Sequence, residues 1–94
     1  MNIVLKDTFL SRFEQYIAYI ASQSPQNAKN ISIVIFEKIR GLSRMPYLGR
    51  KSIYFNEEQV RDLIVKGYVI TYEINNEANH IEVFGITKHQ NKLF

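Results

Sequence analysis

Few residues in this 94-residue sequence carry reactive chemistry. His80 and His89 are the only histidines, nine residues apart. No carboxylates stand near them at ligand spacing, so the pattern predicts no metal site. Cysteine is absent. That excludes a thiol nucleophile, a cysteine zinc site and a disulfide framework. Gly41, Gly49, Gly67 and Gly85 are scattered. They form no phosphate loop, dinucleotide fingerprint or nucleophile elbow, so no cofactor is expected.

His89 lies in Thr87-Lys88-His89-Gln90-Asn91-Lys92, just past the last apolar run. An unperturbed imidazole titrates near pH ~6.5, which suits a general acid; a structural hydrogen bond or plain solvation fits equally. His80 follows an asparagine-rich turn and reads as a solvated turn residue. Arg61 shares a strand face with Leu63 and Val65 if residues alternate. Its guanidinium can grip a phosphate with two N–H groups, or pair with a carboxylate such as Asp7, Glu57 or Glu58. Tyr47, Tyr54, Tyr68 and Tyr72 can stack on bases or pack against helices.

These groups must be positioned by a small set of elements. Ile3-Val4-Leu5 reads as a first strand within residues 2–6. Asp7 or Thr8 is then placed to cap a helix. Phe9, Phe13, Tyr16, Ile17 and Ile20 recur at helical spacing and predict one buried face over a helix ending near Ser22. Ser24-Pro25 starts a second helix: serine caps well, and proline at the first helical position gives up an N–H that has no partner anyway. Its stripe is Ala28, Ile31, Ile35, Ile39 and Leu42. Ile33, Val34 and Phe36 widen that stripe, as in a helix that is doubly buried or meets a partner. About two residues separate the helices, so they form an antiparallel hairpin.

Met45-Pro46-Tyr47-Leu48-Gly49-Arg50 ends the second helix. A short strand is expected at residues 52–55. Three more follow at 60–66, 68–74 and 80–87, divided by Lys66-Gly67 and an asparagine-rich turn. Tyr68, Ile70, Tyr72 and Ile74 alternate with Val69, Thr71 and Glu73, as in a half-exposed antiparallel strand. The expected fold is α+β: an N-terminal strand, then an antiparallel helical hairpin packed on one face of a mostly antiparallel sheet, in the order β-α-α-β-β-β with an optional further strand. A single domain over residues 1–94 is expected.

The chain is 46% hydrophobic and 22% charged, enough to build a core and too apolar for a disordered tail. No apolar stretch approaches ~18–20 residues, which predicts no membrane span. The N-terminus has no positive signal-peptide region, so a cytoplasmic protein is expected. Net charge is +3. Lys38, Arg40, Arg44, Arg50 and Lys51 fall in a stretch without an acidic residue, and Glu57, Glu58 and Asp62 follow. The basic run can track an acidic segment or a phosphate backbone, or be a solvated face.

Four stretches carry a resemblance. They are the first strand and helix with Tyr16-Ile17-Ala18-Tyr19-Ile20-Ala21; Ser24-Pro25-Gln26-Asn27-Ala28; Met45-Pro46-Tyr47-Leu48-Gly49-Arg50; and residues 60–72, from Val60-Arg61 through Gly67-Tyr68 to Tyr72, leading to residues 81–90, ending in Lys88-His89-Gln90. Together, across nearly the whole chain, they resemble the RelE/ParE superfamily of toxins from type II toxin–antitoxin systems. The resemblance implies one of two activities. RelE-like members cut messenger RNA on the ribosome; ParE-like members inhibit DNA gyrase. The nuclease branch usually carries a basic residue in the strand after the hairpin, where this chain has Tyr68-Val69-Ile70-Thr71-Tyr72. Its last strand is often basic too, where this chain has Val83-Phe84-Gly85-Ile86-Thr87. The terminal Lys92-Leu93-Phe94 is similar to nuclease members that end in an aromatic residue. A charge of +3 is small for a protein that must neutralise several ribosomal phosphates.

The ParE-like branch is therefore the expected one. It implies a protein that acts by binding: it traps gyrase so that cleaved DNA accumulates. The expected target-binding residues are Arg61, Lys88, His89, Gln90 and Lys92. Were the protein a nuclease, His89 and Arg61 would be its catalytic candidates, with messenger RNA and the ribosome as partners. An inert binding module of the same fold is the remaining alternative. The resemblance also implies a cognate antitoxin laid across the helical hairpin and sheet. Ile33, Val34 and Phe36, with Arg40 and Arg44, are its expected contacts.

Overall fold

The apolar periods and capping signals become two helices joined through a single residue. A computed structural model describes residues 1–89. Strand β1 (Asn2–Leu5) leads into α1 (Asp7–Gln23), which is followed by α2 (Pro25–Gly41). Ser24 serves both helices. Its N–H donates to the Ile20 carbonyl at 2.8 Å, and its hydroxyl accepts from the Asn27 N–H at 3.2 Å. Proline at the next position gives up no helical hydrogen bond.

The start of α1 differs from expectation. Lys6 takes the cap position, and no side chain caps the helix. Asp7 lies in the first turn, where its charge complements the helix dipole. Thr8 turns its hydroxyl to the Phe84 carbonyl at 2.6 Å. Its bond ties the helix to a strand instead of to its own first turn.

Four more strands follow: β2 (Arg50–Lys51), β3 (Val60–Val65), β4 (Tyr68–Asn75) and β5 (His80–Lys88). The sheet order is β1-β5-β4-β3-β2. Only β1 and β5 run parallel; the other pairs are antiparallel. The short strand expected at residues 52–55 lies earlier, at Arg50–Lys51. The Ser52 hydroxyl accepts from the Tyr54 N–H at 3.3 Å, and this local turn stops the strand. Lys66 and Gly67 both adopt positive φ, 51° and 83°, the conformation a two-residue hairpin loop requires.

One sheet face carries the core. Leu63, Val65, Tyr68, Ile70, Tyr72, Ile74, Ile81, Val83 and Ile86 meet Phe9 and Phe13 of α1 and Ile35, Ile39 and Leu42 from α2 and its end. Phe9 and Phe13 stack at 5.6 Å, and Tyr16 meets Tyr68 edge-on at 5.1 Å. The inward positions of β5 change parity, from Ile81 and Val83 to Ile86. A bulge explains this: Thr71 pairs with Gly85 and Tyr72 with Val83, which leaves Phe84 as an extra residue. The N–H of Lys6 and the hydroxyl of Thr8 bind the carbonyls of Val83 and Phe84, so the start of α1 satisfies the bulge.

Candidate binding face

The face of the sheet away from the helices is partly roofed by the segment after β2. Ile53, Tyr54 and Phe55 lie over β4 and β5 and enclose an open cavity of about 620 Å³ with Val69, Thr71 and Phe84. Phe55 meets the bulged Phe84 edge-on at 5.8 Å. The roof buries Val69 to 4% exposure, so β4 is less exposed than its alternation predicts. Arg50, Lys88 and His89 line the same cavity. Aromatic walls with cations beside them suit an apolar or aromatic group that carries negative charge.

The sequence-predicted residues divide between two places. Lys88 is exposed at the end of β5, and its N–H donates to the Tyr16 hydroxyl at 3.3 Å. His89 is half-buried, and its N–H donates to the Gly67 carbonyl at 2.7 Å, one step beyond the strand. They alternate across the sheet: Lys88 pairs with Tyr68 on the helix side, and His89 follows on the cavity side. Gln90 and Lys92 lie outside the described residues.

Arg61 lies elsewhere. It pairs with Tyr72 in the ladder, on the helix side of β3 with Leu63 and Val65. Lys88 pairs with Tyr68, four residues back along β4, roughly 13 Å away. Arg61 and His89 therefore do not converge on one scissile group. The Arg61 guanidinium donates to Glu58 Oε1 at 2.9 Å and lies 4.8 Å over the Tyr47 ring. Its side chain is only 13% exposed. These contacts tie the 45–58 segment to the sheet.

The tyrosines separate in the same way. Tyr68 and Tyr72 are buried in the core; Tyr47 and Tyr54 are exposed. Burial pushes the Tyr72 hydroxyl above its usual pKa, and the Asp62 and Tyr47 charges add to this. The Gly49 hydrogen bond and the Arg61 charge pull it back only in part. Burial likewise raises Tyr68, with Tyr16 adding to it.

On α2, Ile33 is exposed, while Val34 and Phe36 are half-buried. Phe36 packs edge-on against Phe13 at 5.0 Å, so much of the extra girth of α2 belongs to the core. Arg40 and Arg44 are exposed. Several exposed apolar residues fall outside the predicted set: Met45, Tyr47, Leu48, Ile53, Tyr54, Phe55 and Ile64. Most belong to the loop between α2 and β3, where no period marks them in the sequence.

Sequence reading also misses Asp62. It is 1% exposed, accepts from the Thr71 hydroxyl at 2.9 Å, and has a second oxygen with no partner among the described residues. No local signal distinguishes it from Glu57 and Glu58, which are exposed. Only the register of Asp62 against Thr71 does so. Among the described residues, no helix is long and apolar enough to cross a membrane.

A helical hairpin over a five-stranded sheet, closed by a parallel first strand, is the frame of a RelE/ParE-type toxin. Within that class the chain belongs to the ParE toxin family of type II toxin–antitoxin systems, parDE, whose model matches residues 3–93. No curated protein matches the sequence.

Proposed function

We propose that this toxin acts in the cytoplasm by binding DNA gyrase, and that a cognate antitoxin neutralises it. The family match over residues 3–93 carries the reading. The separation of Arg61 from His89 supports binding over nuclease chemistry. A general acid and a phosphate-gripping cation must share one scissile group, and these two residues lie on opposite faces of the sheet.

Lys88 and His89, with Gln90 and Lys92, are the proposed target contacts; Arg61 serves them indirectly by fixing the loop beside the sheet. The antitoxin contacts proposed are Ile33, Val34, Phe36, Arg40 and Arg44, an apolar strip with cations that suits an acidic amphipathic segment. Antitoxin binding would also stabilise this small domain by mass action.

Purified toxin added to gyrase supercoiling reactions, and to ribosomes translating a defined message, tests the reading. Lost supercoiling with intact message is the expected result. Codon-phased message cleavage with normal supercoiling overturns it. His89→Ala sharpens the distinction: a binder should keep its potency within about tenfold, while loss of a general acid costs roughly 10²–10⁴ in rate.

A further inference from the structure

The loop between β2 and β3 runs Ile53-Tyr54-Phe55, three apolar residues in succession. Phe55 has a structural partner in Phe84, edge-on at 5.8 Å. Ile53 and Tyr54 are 69% and 70% exposed. Exposed runs of this kind add nothing to a core and promote aggregation; they are kept where they serve binding. The two side chains border two hollows, the cavity of about 620 Å³ and a second of about 430 Å³ shared with Lys51 and Asn56. The loop is held at its base. Ser52 is buried; its N–H donates to the Val60 carbonyl at 2.9 Å, and its hydroxyl accepts from the Tyr54 N–H at 3.3 Å. At the far end, Arg61 donates to Glu58 at 2.9 Å. A ridge fixed at both ends loses little freedom when it docks. Arg50 lines the larger cavity, is exposed, and makes no ion pair among the described residues.

We propose that Ile53 and Tyr54 are the anchors through which this toxin grips its protein target. They enter an apolar cleft on the target, and Arg50 meets a carboxylate at the rim of that cleft. The inference rests on the target-binding function proposed for the chain and names the side chains that carry it. His89, a proposed target contact, lines the cavity that Ile53 and Tyr54 border. A protein seated on His89 therefore covers the ridge as well. The proposed antitoxin contacts on α2 belong to the helix layer, across the sheet, and leave the ridge open. A nucleic acid suits the ridge poorly. Glu57 and Glu58 follow it and are exposed, and an isoleucine offers nothing to a phosphate backbone. Tyrosine and arginine are among the residue types that most often dominate a protein interface.

The double variant Ile53→Ser/Tyr54→Ser tests this in gyrase supercoiling reactions with the full chain. Inhibition should weaken by about 100-fold, roughly tenfold for each anchor. The melting temperature should stay near the wild-type value, because both side chains are largely exposed. Arg50→Gln should weaken inhibition by about tenfold. A folded double variant that inhibits like wild type overturns the proposal. A wild-type toxin that leaves gyrase untouched refutes the gyrase reading alone, and growth arrest on induced expression then decides about the ridge. Arrest lost in the double variant at equal protein level supports the proposal; arrest like wild type overturns it, and a wild type that arrests nothing overturns both. Sedimentation velocity separates a second copy of the chain: a wild-type dimer that the double variant abolishes, with inhibition unchanged, overturns the proposal. If the serine variant does not fold by circular dichroism, Ile53→Thr/Tyr54→Gln decides by the same readings.

Discussion

The N–H of Gly49 donates to the Tyr72 hydroxyl at 2.9 Å, inside the protein. The same hydroxyl donates to the Pro46 carbonyl at 2.6 Å. One buried phenol therefore receives from one end of the Pro46–Gly49 turn and gives to the other. The turn places Arg50 in its strand and Tyr47 under Arg61. A Cβ on Gly49 would stand 2.7 Å from the Asp62 carbonyl oxygen and 2.9 Å from the Tyr72 hydroxyl. The proline-x-x-glycine-arginine step thus has a physical reason: its glycine lets backbone approach backbone.

Tyr72→Phe removes the hydroxyl and leaves a buried N–H and carbonyl without this partner. Stability should fall by about 1–3 kcal/mol. Urea unfolding checks this, with a lower midpoint and an unchanged slope expected.

Gly49→Ala must move backbone, because the obstructing atom belongs to β3 and not to a flexible side-chain tip. A loss of about 1–3 kcal/mol is expected. Gly41→Ala is the control. Its Cβ meets nothing within 4 Å, and alanine in the helix should raise stability by up to about 1 kcal/mol. Thermal melts of the two variants should move in opposite directions.

Alkaline pH should destabilise the protein through Tyr72 and Tyr68. Both hydroxyls hold their protons more tightly when folded than at the usual value of 10.0. Above that value the unfolded chain has released protons that the folded chain keeps. Stability therefore falls as pH rises from there through the folded pKa values. Tyr72→Phe should flatten that fall, measured as unfolding free energy at a series of alkaline pH values.

Lys66 occupies a left-handed conformation at φ 51°, just before Gly67. Asparagine tolerates that region better, and Asn-Gly is the favoured two-residue hairpin loop. Lys66→Asn should stabilise by about 0.5–1 kcal/mol, seen as a higher melting temperature.

Local signals in the sequence foretell local structure well. The spacing of Phe9, Phe13, Tyr16, Ile17 and Ile20 marks the inner face of α1, and Ser24-Pro25 marks the joint between helices. Arg61 shares its face with Leu63 and Val65, as alternation predicts. What stays hidden depends on residues far apart. Thr8 looks like a helix cap, but its hydroxyl finds a carbonyl 76 residues away. The Phe84 bulge, which resets the inward positions of β5, is defined by pairing with β4. Asp62 reads as one of several acidic residues until its register against Thr71 is known. For the binding face, Lys88 and His89 are legible at the end of a strand. The roof of Ile53, Tyr54 and Phe55 is not, because it follows no period.

The parallel pairing of β1 with β5 also sets the order in which the fold is completed. Asn2 is made well before His80, its partner in the ladder, and waits for it. Until β5 has emerged, β1 has no neighbour and β4 lacks one of its two. The helical hairpin, built from adjacent residues, can form early, but the sheet it covers cannot close. Such non-local pairing slows folding. A ribosome stalled within this reading frame before residue 80 carries a chain whose sheet is still open, so the toxin fold arises only once β5 has been made.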